Sequence, residues 1–63
     1  MKADRTVNVL LVDDSKVAQM LLVAILEADP RIRVIGVVGD GQAAVDFVAR
    51  RLPDVILMDI QMP

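Results

Sequence analysis

The stretch Val55-Ile56-Leu57-Met58-Asp59 decides the fold. An aliphatic run of this length is a strand covered on both faces, and this one stops at a carboxylate. A second run, Val9-Leu10-Leu11-Val12, breaks in the same way at Asp13 and Asp14. Strands apolar on both faces belong to parallel sheets flanked by helices, where the carboxyl ends share one edge and ligands bind. Two acidic strand ends therefore make one candidate site.

Outward from these runs the chain alternates strand and helix. Val7 to Val12 forms the first strand, and Asp13, Asp14 and Ser15 supply a turn and a helix N-cap, because short oxygen-bearing side chains accept the free amide hydrogens of a first turn. The spacing predicts a helix from about Lys16 to Ala28, with Ala18, Leu21, Leu22, Ile25 and Leu26 as its buried face. Lys16 and Glu27 mark the opposite stripe, and Met20 and Val23 fall there too, either as incidental exposed aliphatics or as a docking surface. Asp29-Pro30 ends the helix, since proline lacks an amide hydrogen and pushes its predecessor out of helical geometry. Arg31 to Val38 reads as a second strand, its arginines suiting a guarded edge. Gly39-Asp40-Gly41 is a turn with Asp40 as N-cap of a second helix, about Gln42 to Leu52, whose apolar face is Ala44, Val45, Val48 and Leu52. Asp46 and Arg50 stand at the spacing of a weak ion pair. Pro53 and Asp54 close the helix, and the third strand runs from Val55 to about Ile60.

Short connections in a strand-helix-strand-helix-strand order require parallel strands and right-handed crossovers. With the first strand central, the second and third lie on either side of it, and the acidic ends of the first and third become neighbours.

Composition narrows the functional classes. The chain has 63 residues, one small domain at most, and 56% of them are hydrophobic, which excludes a disordered polar chain. Phe47 is the one aromatic residue, so no stacking platform for bases is present, and no basic stripe suggests direct nucleic-acid binding. Absence of Cys and His excludes disulfides, thiolate zinc sites and histidine-based catalysis. The formal charge is -2, and setting aside Asp13, Asp14 and Asp59 leaves six acidic residues against seven basic ones. The acidic balance resides in the proposed site. No apolar run reaches the length of a membrane span, and a cytoplasmic protein without membrane contact is expected.

Three carboxylates brought within a few ångströms repel one another, by about 4 kcal/mol for a pair at 4 Å in an effective dielectric near 20. A divalent cation relieves that repulsion. Oxygen donors without His or Cys favour a hard ion, and two or three carboxylates with room for water suit Mg²⁺ better than Ca²⁺. Such an ion neutralises the oxygens of an incoming phosphoryl group, which makes Asp59 a candidate phosphoryl acceptor. Taken singly, an Asp-Asp pair after a strand is ordinarily a cap and turn; it is the pairing with Asp59 on an adjacent strand that points to a metal.

These residues resemble a response-regulator receiver domain of two-component signalling. The resemblance is carried by Leu11-Val12-Asp13-Asp14-Ser15, by Gly39-Asp40-Gly41-Gln42-Ala43-Ala44, and by Pro53-Asp54-Val55-Ile56-Leu57-Met58-Asp59-Ile60-Gln61-Met62-Pro63. It implies a three-layer α/β fold of the flavodoxin-like (CheY-like) type with a parallel sheet. It further implies that Asp59 is the phosphoacceptor, that Asp14 binds Mg²⁺ directly, that Asp13 holds it largely through water, and that the backbone carbonyl of Gln61 is a further ligand. The implied partner is a histidine kinase, and the implied role is that of a phosphoacceptor module and not of an enzyme. Within the family, Asp14-Ser15 with Ala28-Asp29-Pro30-Arg31-Ile32-Arg33-Val34-Ile35-Gly36 is most similar to receivers of chemotaxis protein-glutamate methylesterases. Receivers with DNA-binding outputs share part of that stretch and form the alternative.

A complete receiver has five strands and five helices. The resemblance therefore implies that residues 1–63 are the amino-terminal part of a single receiver domain, and that the output domain and the Ser/Thr and Lys of the phosphoryl switch lie outside it. The third strand is then expected to show an apolar edge, open to self-association in a structural half-domain without signalling activity.

Overall fold

The computed structural model describes residues 5–58. Five elements follow in the expected order: β1 (Val7–Val12), α1 (Lys16–Glu27), β2 (Ile32–Val38), α2 (Gly41–Arg50) and β3 (Val55–Met58). The sheet is parallel with order β2-β1-β3, so β1 is central. Its inner residues Val9, Leu10, Leu11 and Val12 are buried, with Leu10 and Leu11 fully so. Each such side chain contributes about 1.5–3 kcal/mol.

Alternation along β1 sends neighbouring side chains to opposite faces, which gives the two helices separate layers. Leu10 and Val12 pack with Ala44 of α2, against which Val38, Phe47 and Val48 also lie. Leu11 faces α1 and shares a groove with Ala18, Leu21, Leu22 and Ile25.

Both helices begin as their sequence implies. Ser15 caps α1, its Oγ accepting the Ala18 N–H at 3.2 Å, and Asp40 caps α2, its Oδ1 accepting the Ala43 N–H at 2.7 Å. Each helix keeps only part of the apolar face anticipated for it. Ala18, Leu22 and Leu26 are half-buried, but Leu21 and Ile25 are 60% and 66% exposed, because α1 lies over β1 and β2 and its flank toward β3 is uncovered. Val23, expected on the outer stripe with Met20, is half-buried in a shallow groove that includes Val37. On α2, Val45 is exposed and Phe47 packs inward, while Leu52, also exposed, lies beyond the end of the helix at Arg50. Asp46 accepts a hydrogen bond from Gln42 Nε2 at 3.2 Å instead of pairing with Arg50.

Phe47 finds its seat because Gly36 lies under it. Pairing steps from Val9 opposite Val34 to Leu10 opposite Gly36, which leaves Ile35 as an extra residue in β2. A Cβ on Gly36 would meet the Phe47 ring, 2.7 Å from Cζ, and come 3.1 Å from Leu10 Cδ1. The two sheet edges also differ. On β2 the Val34 N–H donates to the Glu27 carboxylate at 3.3 Å and Arg33 is exposed, both of which blunt the edge. On β3, Val55, Ile56, Leu57 and Met58 are each 37–47% exposed, so the expected apolar edge is present.

Candidate functional site

The carboxyl end of β1 turns sharply into α1, and the turn is built around Asp13. Its N–H donates to the Val38 carbonyl at 3.0 Å, tying it to the end of β2. Its Oδ1 accepts the Ser15 N–H at 2.9 Å, and its carbonyl accepts a hydrogen bond from Gln19 Nε2. These bonds hold a carboxylate that is only 3% exposed, and its Oδ2 is buried with no hydrogen-bond partner among the described residues. A buried ionised oxygen without a donor or cation is costly, since desolvation is not repaid. Asp14, next in the chain, is exposed.

The end of β3 lies alongside, with Met58 opposite Val12. Val12, Asp13, Asp14, Gly39, Asp40, Gly41 and Met58 line a crevice of about 250 Å³ at this edge of the sheet. Asp40 contributes to its wall, but its Oδ1 is committed to the α2 N-cap. Asp59 and Gln61, the other two residues singled out in the sequence, lie outside the described residues. Among the described residues no three His, Cys, Asp or Glu side chains come together. The donors that are described nevertheless fit a hard cation: two carboxylates at one edge, one with an orphaned buried oxygen.

Two residues make contacts that the sequence did not foretell, one beside the acids and one at the opposite end of β1. Gln19 sits one turn into α1, where side chains lean back toward the helix N-terminus, and it reaches the Asp13 carbonyl. Asp54, expected only to close α2, bonds to Asn8 at the far end of β1, with both its backbone and its side chain.

At that far end lies the one ion pair among the described residues, Arg31 Nη2 to Asp29 Oδ2 at 3.0 Å. Hydrogen bonds from the Arg31 side chain and then from its backbone hold the Asp29 carboxyl below its ordinary value, and the same side-chain bond raises Arg31. A lowered carboxyl stabilises the fold above the unfolded carboxylate range and loses that contribution as pH falls through the lowered value. Because the pair is solvent-exposed, it is a clip on the turn into β2 and no part of the acidic site.

Comparison with known proteins agrees with this architecture. The family model described as response regulator receiver domain matches residues 9–63. Among curated proteins, the chain is 52% identical over 59 residues to protein-glutamate methylesterase/protein-glutamine glutaminase 5 of Anaeromyxobacter dehalogenans, covering 94% of this chain and 16% of that protein. It is 54% identical over 57 residues to protein 4 of the same description from Geobacter metallireducens, covering 90% and 16%. With protein 3 of Myxococcus xanthus the identity is 44% over 63 residues, covering 100% and 18%. The chain thus spans less than a fifth of the length of these relatives, and its match falls in their receiver region, distinct from their methylesterase catalytic domain. Among the described residues no helix is long and apolar enough to cross a membrane. With parallel order β2-β1-β3, helices on both faces and an acidic carboxyl edge, the chain belongs to the response regulator receiver domain family.

Proposed function

We propose that the chain is the phosphoacceptor part of a two-component signalling protein, with Asp59 accepting a phosphoryl group from a histidine kinase in a Mg²⁺-dependent reaction. The observation that carries this reading is the Oδ2 of Asp13, buried and without a partner among the described residues, at the edge where β3 ends at Met58, the residue before Asp59 in the sequence. Asp13 and Asp14 would hold the ion, with Asp59 and the Gln61 carbonyl as further ligands. When bound, Mg²⁺ supplies neutralisation of the phosphoryl oxygens. A carboxylate oxygen of Asp59 forms the new P–O bond as the P–N bond of the kinase phosphohistidine breaks, and the leaving imidazole takes up a proton. Hydrolysis of the acyl phosphate then returns the carboxylate and inorganic phosphate.

The residues of this chain prepare the reaction. Gln19 and the Ser15 N–H fix Asp13, and the buried run Val9–Val12 of β1 keeps water from its inner side. The similarity to methylesterases supports a methylesterase as the regulated output of a longer protein; a cytoplasmic location, with residues 1–63 as the amino-terminal part of one receiver domain, belongs to the same proposal. A second reading, self-association through β3, is favoured by the exposure of all four of its side chains.

Labelling by a small acyl phosphate donor, followed by mass spectrometry, tests the first reading. The expected result is a Mg²⁺-dependent phosphoryl adduct that disappears in Asp59→Asn. Equal labelling of that variant removes Asp59 from the role, and labelling unchanged by a chelator removes the metal.

A further inference from the structure

We infer that Asp54, at the opposite end of the sheet from the acids, is the positioning residue that sets the register of β3 and so delivers Asp59 to the acidic edge; the inference rests on the phosphoacceptor reading above. Its backbone N–H donates to the Asn8 carbonyl at 2.8 Å, and its Oδ2 accepts the Asn8 N–H at 2.8 Å. One residue therefore closes both bonds of the first rung between β1 and β3. In a continued parallel ladder a backbone carbonyl preceding β3 would accept the Asn8 N–H, and here the Asp54 carboxylate, just before β3, accepts it instead.

Packing alone specifies this register weakly. All four side chains of β3 are aliphatic and partly exposed, and the strand pairs on one side only. A slip of two residues would put Leu57 and Met58 where Val55 and Ile56 stand, aliphatic for aliphatic on the same faces, so within the strand only the arrival of Asp59 opposite Leu11 opposes it. Hydrogen bonds at the entrance are directional and tolerate no such exchange. From the Asp54 rung, pairing proceeds Val9 with Val55, Leu10 with Ile56, Leu11 with Leu57 and Val12 with Met58. Asp13 and Asp59 follow next in the two segments. A slip of one residue displaces a side chain by about 3.3 Å and turns it to the other face, whereas Mg²⁺ needs oxygen ligands at about 2.0–2.1 Å.

Amide-resolved NMR of the full chain with three substitutions tests the role. Asp54→Asn keeps an oxygen acceptor and removes the charge, Asp54→Glu keeps the charge and displaces the acceptor by one methylene, and Asp54→Ala removes it. Hydrogen exchange at Asn8 reads the rung, and Mg²⁺-induced shifts at Asp13 and Asp14 read the site. Asp54→Asn should stay within about threefold of the native Mg²⁺ affinity, while the Ala and Glu variants should lose about tenfold or more and exchange the Asn8 amide correspondingly faster. Ala44→Gly, which loosens the core without touching the rung, should keep native affinity in its folded population. Native affinity in Asp54→Ala overturns the inference, as does a pattern in which Glu substitutes for Asp and Asn does not. If Asp54→Ala fails to fold, the contrast between Asn and Glu decides. If the native chain shows no response to Mg²⁺, the metal-dependent phosphoacceptor reading falls separately. Asp54 is then judged by cross-strand proximity of Val12 and Met58: lost in Ala and Glu but kept in Asn upholds the register role, and kept in all three overturns it.

Discussion

Asp13→Asn should make the chain more stable without divalent cations and less responsive to them. The native side chain is 3% exposed, with one oxygen bonded to the Ser15 N–H at 2.9 Å and the other buried without a partner among the described residues. An amide keeps the acceptor for Ser15 and removes the charge from the unpartnered position. Leaving a buried polar group unsatisfied costs about 1–3 kcal/mol, and more when it is charged, so relief of about 1 kcal/mol is a conservative expectation after weakening of the Ser15 bond is deducted. For a domain of this size that raises the melting temperature by about 4–8 °C. Mg²⁺ acts in the opposite sense. At about a hundred times its dissociation constant a ligand stabilises by about 2.7 kcal/mol, and a tenfold weaker site in the variant would recover only about half of that. Thermal melts by far-ultraviolet circular dichroism, in chelator and across a Mg²⁺ series, measure both terms. The reasoning is refuted if Asp13→Asn melts below the native chain in chelator, or if the two gain equally from Mg²⁺.

Gly36→Ala should destabilise the fold by about 1–3 kcal/mol in urea unfolding, because the new methyl group overlaps the Phe47 ring and crowds Leu10; a loss below about 0.5 kcal/mol would mean that the ring moves aside freely. Sedimentation velocity over a tenfold concentration range tests pairing through β3: the mass should rise with concentration, and Ile56→Lys, which puts a charge on an edge residue that is 46% exposed, should hold the chain monomeric. A native chain that is monomeric throughout sets that reading aside.

Most of the architecture was legible because its signals are local. The aliphatic runs Val7–Val12 and Val55–Met58 are strands, Ser15 and Asp40 cap helices, and Asp29-Pro30 ends one, each for reasons contained within a few residues. Helical spacing also placed Ala18, Leu22 and Leu26 on the side of α1 that meets the sheet. It could not say how much of that side is covered. Leu21 and Ile25 share the helix flank with Leu22, yet only a packed neighbour near β3 would bury them, and none lies there among the described residues. Phe47 went unassigned because its contact depends on the missing side chain of Gly36 and on the extra residue Ile35 in the facing strand. The Asp46 and Arg50 spacing permits an ion pair on a solvated face, where it is worth so little that a hydrogen bond from Gln42 displaces it.

By itself, then, the sequence determined the order and parallel sense of the strands and the presence of acids where β1 ends, since periodicity, caps and connection lengths act over one or two elements. Only the tertiary structure decided how Asp13 is held: buried by β1, tied to β2 through Val38 and to α1 through Gln19, with one oxygen unpartnered among the described residues. It also decided that Asp54, a full strand length from the acids, is bonded to Asn8. Hydrogen bonds between strands join residues far apart in the chain, and which partner a carboxylate meets depends on registers that no local pattern contains.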